Sequence, residues 1–206
     1  MGRFLPLVCV LMFNGLGIGW RAWVQWRRTG ETGIVLFKNK TALEKLMGLG
    51  FLGVPVTLLV IGCLAAFSPE TLAATGVVSA LVGPVWFAAG VVAMMAAMAL
   101  MLISQLQMGS SWRIGIEKQA RPGLVTSGFY QFCRNPIYTW AFLWMIGMVM
   151  AAPYGITVAL AVGVVLGTAG QVRREEAYLL EMYGDEYRDY AARVGRFVPG
   201  LGRLGR

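Results

Sequence analysis

The longest stretches of this sequence without a charged residue set the strongest limit on how the chain folds. No Asp, Glu, Lys or Arg occurs between Glu70 and Arg113, or from Asn135 to Val172. A helix needs about 20 predominantly apolar residues to cross the hydrocarbon core of a membrane, and each stretch is long enough for at least one crossing. We therefore predict an all-α integral membrane protein with about five transmembrane helices.

The composition supports this prediction and excludes several kinds of chemistry. Of the 206 residues, 57% are hydrophobic and 14% are charged, whereas soluble domains are roughly 45–50% apolar and 25% charged. The net charge of +8 is better explained by basic residues beside membrane spans than by nucleic-acid binding. Because there is no histidine, a Ser-His-Asp triad and histidine metal ligands are excluded. The three cysteines lack metal-ligand spacing, so we expect no metal site.

The apolar runs predict where the chain crosses the membrane. The predicted spans are residues 4–23, 47–67 and 85–107, followed by a helical hairpin over residues 135–172 that breaks near residues 151–155. Residues 68–71 form an expected acidic turn, and the weakly apolar residues 72–82 an interfacial or partly embedded segment. In the first span, Gly15 and Gly19 have the small-residue spacing that lets helices pack closely in lipid.

The distribution of basic residues predicts the orientation. Residues 21–45 form the most basic connection, so we expect that loop in the cytoplasm and the N-terminus outside. The polar segments 110–134 and 173–193 then lie on the cytoplasmic side and form the candidate site, the second as a helix that continues past the bilayer. We expect a single membrane domain, residues 1–206, with spans in residues 1–109 and the cofactor-binding and catalytic region in residues 110–206.

Four short motifs stand in order in the last half of the chain. They are Gly123-Leu-Val-Thr-Ser-Gly-Phe-Tyr130, Arg134-Asn-Pro-Ile-Tyr138, Arg173-Arg-Glu-Glu176 and Tyr183-Gly-Asp-Glu-Tyr187-Arg-Asp-Tyr190. Together with the hairpin and the terminal Arg196-Phe-Val-Pro199, this half resembles the isoprenylcysteine carboxyl methyltransferase and phospholipid methyltransferase superfamily. The resemblance implies a membrane methyltransferase whose S-adenosyl-L-methionine lies in a cytoplasmic pocket closed by the C-terminal segment.

The motifs also supply the candidate site residues. The expected cofactor-binding residues are Gly123, Leu124, Val125, Gly128, Tyr130, Arg134, Asn135, Pro136, Tyr138, Glu175, Glu176 and Tyr187, and the expected catalytic residues are Arg173, Arg174 and Glu176. Glu175 or Glu176 is expected to hold amino or ribose groups of the cofactor, and the two arginines to orient an anionic acceptor by paired hydrogen bonds. The family usually has histidine at the position of Asn135. In this chain we interpret Asn135 as the N-cap of a helix.

Simpler interpretations exist for the same residues. Charges at the end of a spanning helix commonly form solvated ion pairs, and short glycine motifs commonly form ordinary loops. Tyr183, Tyr187 and Tyr190 are expected by default to form an interfacial aromatic belt, with Tyr187 and Tyr190 as lid residues if the resemblance holds. Met94, Met95, Met98 and Met101 are expected to pack in the core.

The expected function is methyl transfer from S-adenosyl-L-methionine, with S-adenosyl-L-homocysteine as product, to a lipophilic or isoprenoid-linked acceptor. The missing histidine favours a carboxylate or thiolate acceptor, because a carboxylate is already ionised near neutral pH whereas an ammonium must first lose a proton. The alternatives are an NADPH enzyme similar to membrane sterol reductases and a non-catalytic membrane scaffold. The expected partners are membrane lipid and a lipophilic or lipidated acceptor, and the expected location is a bacterial inner membrane with the site facing the cytoplasm.

Overall fold

The computed structural model describes residues 2–35, 42–115 and 123–205. Within these ranges the long and short helices used below are α1 (Gly2–Thr29), α2 (Ala42–Phe67), α3 (Pro69–Ala73), α4 (Pro84–Gln107), α5 (Pro136–Ala151), α6 (Gly155–Tyr183) and α7 (Asp185–Arg193). The described residues contain isolated β-bridges but no β-strand. The predicted all-α fold is therefore confirmed.

Four helices are long and apolar enough to cross a membrane. They are α1, the Gly48–Phe67 part of α2, α4 and α6, and α5 is a shorter apolar helix. With 16 residues, α5 is about 24 Å long at 1.5 Å per residue, less than the roughly 30 Å of a hydrocarbon core. The predicted hairpin is confirmed, since α5 ends at Ala151 and α6 begins at Gly155. A total of five spans stays a prediction.

Two predicted connections are wrong at their boundaries. The expected basic loop from residue 21 is helical as far as Thr29, and the helix ends at Gly30, whose φ is 77°. The helix continues because Arg21 and Gln25 turn inward and are buried there. The expected acidic turn at residues 68–71 is largely the start of α3, which Pro69 begins, as proline suits the first position of a helix.

Helices α4 and α5 form the most extensive pair in the described structure, and two glycines allow it. A Cβ atom on Gly90 would lie 2.6 Å from the carbonyl oxygen of Gly147, and one on Gly147 would lie 2.7 Å from the carbonyl oxygen of Gly90. Each glycine therefore makes room for the backbone of the other. This reciprocal contact is the close approach that small residues permit between membrane helices.

The glycines predicted to pack α1 are the wrong ones. A Cβ atom added to Gly15 would meet nothing within 4 Å, and one added to Gly19 would meet only its own helix. Gly17 makes the contact instead, with an added Cβ 2.9 Å from the Met101 Cε atom of α4. The reason is that residues 13–20 are wound as a π-helix, which changes the residues that share a face.

The methionines of α4 follow the packing prediction with one exception. Met94, Met98 and Met101 are buried in the main apolar cluster, together with Trp144 of α5. Met95 is 43% exposed, so it faces outward. At the opposite end of the bundle from the polar motifs, the segment predicted as interfacial lies against the hairpin turn, with Val78 N donating to Pro153 O at 2.9 Å.

Candidate functional site

The candidate site is built around Arg134, which lies two residues before α5. Its Nε donates to Glu176 Oε1 at 3.0 Å, and its Nη2 lies 2.9 Å from the same oxygen. The remaining contacts go to backbone carbonyls of the C-terminal residues: Nη1 donates to Ala191 O and Val194 O, and Nη2 to Gly202 O. All five N–H groups of this buried guanidinium are therefore engaged within the protein.

Glu176 of α6 is the centre of the resulting ion cluster. Its Oε2 accepts from Arg196 Nε at 2.9 Å and lies 2.8 Å from Arg196 Nη2. Its Oε1 accepts from Asn135 Nδ2 at 3.1 Å in addition to Arg134. Two guanidinium groups and an amide thus occupy both carboxylate oxygens, and this carboxylate joins the start of α5 to the C-terminal residues.

Asn135 occupies the N-cap position of α5, but its side chain does not cap the helix. The predicted N-cap position is therefore confirmed, but the amide donates to Glu176 and to Arg196 O at 3.2 Å instead of to the helix. The Glu176 carboxylate draws the amide away from the helix end. Pro136 begins α5 as predicted.

Glu175 lies beside this cluster and has a different set of partners. Its carboxylate accepts from the Tyr138 hydroxyl at 3.1 and 3.3 Å and from Gln171 Nε2 at 2.8 Å. Both donors are neutral, and the ion pairs of the described residues do not include Glu175. The two adjacent glutamates therefore differ. Glu176 is matched by two cations, whereas Glu175 is held in place by neutral donors alone among the described residues.

The glycine motif forms a turn docked on the end of α4, which we call the site turn (Gly128–Gln131). Gly128 has a φ of 63°, and a Cβ there would lie 2.5 Å from Gln107 Cδ. Phe129 N donates to Gln107 Oε1 at 2.9 Å. Tyr130 is buried, its hydroxyl donating to Ser104 O at 3.3 Å. The turn thus follows the α4 end closely.

The residues before the site turn lie at its edge. Gly123 is exposed, with its carbonyl accepting from Ser111 Oγ at 3.2 Å. Leu124 packs against a small cluster around Tyr187 and Tyr190, and Val125 is half-buried. Leu124 thus links this segment to α7, while Gly123 and Val125 lie outside the ion cluster.

Tyr187 and Tyr190 of α7 are buried rather than interfacial. Their exposed fractions are 1% and 6%, so the default prediction of an aromatic belt is wrong for both. The Tyr190 hydroxyl donates to Tyr130 O at 2.6 Å, which joins α7 to the site turn. Burial raises the pKa of both phenols, and the nearby Glu176 charge adds to the increase at Tyr187.

The predicted catalytic arginines lie apart from the ion cluster. Arg173 and Arg174 are exposed on α6, whereas Glu176 is buried. Arg173 and Glu176 are three residues apart, a spacing that commonly places two side chains on one face of a helix. Around that helix the boundary between buried and exposed sides falls between them, so the arginines face the surroundings of the bundle.

Several residues of the site were missed by reasoning from sequence. Arg196 was noted only as part of a terminal motif, and Gln171 was not considered. Gln171 precedes Glu175 by four residues, a spacing that places two side chains side by side on a helix and was a usable signal. The carbonyl acceptors at Ala191, Val194 and Gly202 carry no signal, since every residue has a carbonyl.

Comparison with known proteins identifies the family. The family model described as phospholipid methyltransferase matches residues 78–186, just over half of the chain. The chain belongs to the phospholipid methyltransferase family. The matched residues include the site turn, Arg134, Glu175 and Glu176, and end within α7. The resemblance inferred from the motifs is confirmed.

Individual relatives match a shorter part of this family member. Protein-S-isoprenylcysteine O-methyltransferase B of Arabidopsis thaliana is 37% identical over 87 residues, which is 42% of this chain and 44% of the relative. The Mus musculus protein-S-isoprenylcysteine O-methyltransferase is 37% identical over 86 residues, 40% of this chain and 30% of the relative. The cobalt-zinc-cadmium resistance protein CzcN of Cupriavidus metallidurans is 31% identical over 101 residues, 48% and 46% of the two chains. The matches span less than half of each relative.

A solved structure shows the same fold over nearly the whole chain. The eukaryotic intramembrane Ras methyltransferase ICMT (isoprenylcysteine carboxyl methyltransferase) superposes with a TM-score of 0.62 over 95% of this chain and 66% of the other, at 17% sequence identity. At this identity the likeness concerns the fold alone. Together with four apolar helices of spanning length, it identifies this family member as an integral membrane protein.

Proposed function

We propose that this protein is an S-adenosyl-L-methionine-dependent methyltransferase that acts on a lipophilic or isoprenoid-linked acceptor, with a carboxylate favoured. The observation that carries the proposal is the difference between two adjacent glutamates. Glu176 is fully matched by Arg134, Arg196 and Asn135, whereas the described partners of Glu175 are neutral. A carboxylate held among neutral donors attracts a cation.

The cofactor fits this arrangement by charge. S-Adenosyl-L-methionine carries a sulfonium and an ammonium, and either cation complements the Glu175 carboxylate. Tyr138 and Gln171 hold that carboxylate in one orientation, so it need not reorganise on binding. Among the predicted cofactor-binding residues, we therefore assign the direct cationic contact to Glu175. The exposed backbone of Gly123 and the half-buried Val125 remain candidates for contacts with the adenosine part.

The ion cluster serves a different purpose in this proposal. Because Arg134 and Glu176 use their polar atoms on each other and on the C-terminal residues, they hold residues 194–205 across the site. When bound, S-adenosyl-L-methionine supplies an activated methyl group on sulfur for an in-line displacement. Such a reaction needs alignment and the exclusion of water more than acid–base chemistry, and a fixed C-terminal cover provides both without histidine.

The acceptor is proposed to approach along α6. Arg173 and Arg174 are exposed near the end of this spanning helix, and guanidinium groups bind carboxylates through paired hydrogen bonds. A lipophilic acceptor with a carboxylate would keep its tail in the bilayer beside α6 and its charge at the arginines. The relatives named protein-S-isoprenylcysteine O-methyltransferase support this class of acceptor.

The proposed location is based on the distribution of basic residues along the chain. We place residues 110–206, the cofactor-binding and catalytic region, at the cytoplasmic face of a bacterial inner membrane, with residues 1–109 supplying spans. The concentration of basic residues in the connections on that side supports this orientation. Membrane lipid and a lipidated acceptor are the proposed partners.

Calorimetric titration tests the proposal on purified, detergent-solubilised protein. S-Adenosyl-L-homocysteine, the reaction product, is titrated in parallel with NADPH. Saturable binding of the homocysteine compound alone is expected. Binding of NADPH alone would favour a reductase, and binding of neither would favour a scaffold. Labelled methyl transfer to a farnesylated cysteine with a free carboxylate, compared with phosphatidylethanolamine vesicles, then tests the acceptor class.

A further inference from the structure

Arg21 of α1 is a fully buried cation that lies outside the region matched by the family model. Its exposed fraction is 0%, and the ion pairs of the described residues do not include it. Burying an unpaired charge is costly, so its charge must be compensated in another way. The compensation comes from the end of α4.

The carbonyl groups at the end of α4 surround this guanidinium. Arg21 Nη2 donates to Gly109 O at 2.6 Å and to Gln105 O at 3.4 Å. The Trp112 ring stacks against the guanidinium, with 4.7 Å between Cζ and the ring centroid. The last carbonyls of a helix have no partner within the helix and carry partial negative charge. Arg21 thus acts as a side-chain cap on α4, supplied by another helix.

Two glutamines strengthen the connection between α1 and α4 in both directions. Gln25 Nε2 donates to Ser110 O at 2.7 Å, and Gln25 Oε1 accepts from Arg21 Nη1 at 3.2 Å. Gln105 Nε2 donates back to Gly17 O at 3.0 Å. The bonds run from both helices, so the position of the α4 end depends on α1.

The same end of α4 supports the site turn. Ser104 O accepts from the Tyr130 hydroxyl at 3.3 Å, and Gln107 Oε1 accepts from Phe129 N at 2.9 Å. Ser104 Oγ also accepts from Trp140 Nε1 of α5 at 3.0 Å. The residues that Arg21 caps and the residues that support the turn alternate along one helical end.

We propose that Arg21 is a positioning residue of the methyl-transfer site, which fixes the end of α4 and thereby the Gly128–Gln131 turn. The inference rests on the proposed function for its effect on cofactor affinity. Its structural part, the order of the turn, is independent of that function. Arg21 touches neither glutamate of the candidate site, so its effect on binding is transmitted through α4.

The order of the turn is measured at Cys133, which is 5% exposed and lies two residues after the end of the turn. Burial raises the pKa of its thiol, so alkylation at neutral pH is slow in the ordered state. The rate of maleimide labelling is measured by peptide mass spectrometry on the full chain in detergent. Cys9, buried in the bundle at 4% exposure, is the internal standard for general unfolding.

In the Arg21→Met variant, the labelling rate of Cys133 relative to that of Cys9 is expected to rise at least fivefold. The variant is also expected to bind S-adenosyl-L-homocysteine at least tenfold more weakly. The matched control is Arg28→Met, which removes the same charge from an exposed position on the same helix and is expected to change neither quantity. Arg21→Lys keeps the charge with fewer donors and is expected to restore part of both.

The outcomes separate this inference from the proposed function. If the unaltered protein does not bind the homocysteine compound, the proposed function fails, while the labelling ratio still tests Arg21. An unchanged ratio in Arg21→Met, or an equal change in Arg28→Met, would overturn the positioning role. If Arg21→Met is not recovered as folded protein, Gln25→Leu, which loses the bond to Ser110 O, must raise the ratio at least twofold for the inference to stand.

Discussion

Arg134 and Glu176, which are 42 positions apart in the sequence, meet through two guanidinium nitrogens on one carboxylate oxygen, at 3.0 and 2.9 Å. Both side chains are almost fully buried, with 1% and 6% exposed. The other N–H groups of Arg134 bind carbonyls at Ala191, Val194 and Gly202. Together with the Arg196–Glu176 pair, this ion pair holds α6, the start of α5 and the C-terminal residues together.

Glu176→Gln is expected to destabilise the protein strongly. The substitution keeps the shape of the side chain but leaves the Arg134 cation buried without its carboxylate. Breaking a buried pair by removing one charge costs about 3–5 kcal/mol. The measurement is the midpoint of thermal unfolding in detergent, which we expect to fall by several degrees.

The control for this substitution is Asp185→Asn, which breaks the Asp185–Arg188 pair at the start of α7. The side chains of Asp185 and Arg188 are both more than half exposed, and exposed ion pairs contribute little to stability. Its unfolding midpoint is expected to match that of the unaltered protein. Equal midpoints for Glu176→Gln and Asp185→Asn would contradict a role for Glu176 in holding the C-terminal residues.

Sequence patterns predicted which segments meet where the contacts are made by side chains. The Arg134 and Glu176 motifs were expected to meet because the hairpin between them returns the chain to the same side of the membrane, and they do meet. The partners of Arg134 at Val194 and Gly202 were not predictable, because backbone carbonyls are the same in every residue. The roles of Glu175 and Glu176 were left open for the same reason: adjacent glutamates differ only in what the fold places beside them.

The error at Arg21 has a related cause. A basic residue after an apolar run ordinarily marks the end of a membrane span, and residues 21–45 were therefore predicted as a loop. In the structure α1 continues to Thr29, because the carbonyl end of α4 compensates the Arg21 charge. That compensation depends on a helix more than 80 residues later, which a local pattern does not reveal.

Gly128→Ala is expected to disrupt the site turn for two reasons. The φ of 63° at Gly128 costs a residue with a side chain about 1–3 kcal/mol, and the added Cβ would displace the end of the Gln107 side chain, whose Oε1 accepts from Phe129 N. We expect a lower unfolding midpoint and weaker binding of S-adenosyl-L-homocysteine. Gly163→Ala in α6 is the control, since Gly163 lies outside the site turn and the proposed cofactor contacts and a Cβ there meets nothing within 4 Å, and its binding should be unchanged. Equal behaviour of the two variants would argue against a constrained turn.

The buried tyrosines of α7 predict a loss of stability at high pH. Because the pKa values of Tyr187 and Tyr190 are raised in the folded state, the unfolded chain loses these protons first, from about pH 10 upward. The unfolded state then binds fewer protons, so the free energy of unfolding falls as the pH rises. The Tyr187→Phe, Tyr190→Phe variant should show a shallower fall in midpoint between about pH 9 and 11. A parallel fall in both proteins would mean that other groups cause it.

Glu175→Gln is expected to weaken binding without the loss of stability expected for Glu176→Gln. Glu175 has neutral partners, Tyr138 and Gln171, so loss of its charge leaves no cation of the ion cluster unmatched. We expect an unchanged or higher unfolding midpoint. Binding of S-adenosyl-L-homocysteine should weaken at least tenfold, about 1.4 kcal/mol, because the ammonium of the ligand loses its carboxylate.

Tyr138→Phe separates the charge of Glu175 from its orientation. This variant keeps the carboxylate but removes the hydroxyl that holds it, and its loss of affinity should be smaller than that of Glu175→Gln. Calorimetric titration of the three variants side by side gives the affinities, and unfolding midpoints of the same preparations give the stabilities. If Glu175→Gln bound the homocysteine compound as tightly as the unaltered protein, the carboxylate that receives the cofactor would have to lie elsewhere, and the distinction between the two glutamates would concern folding alone.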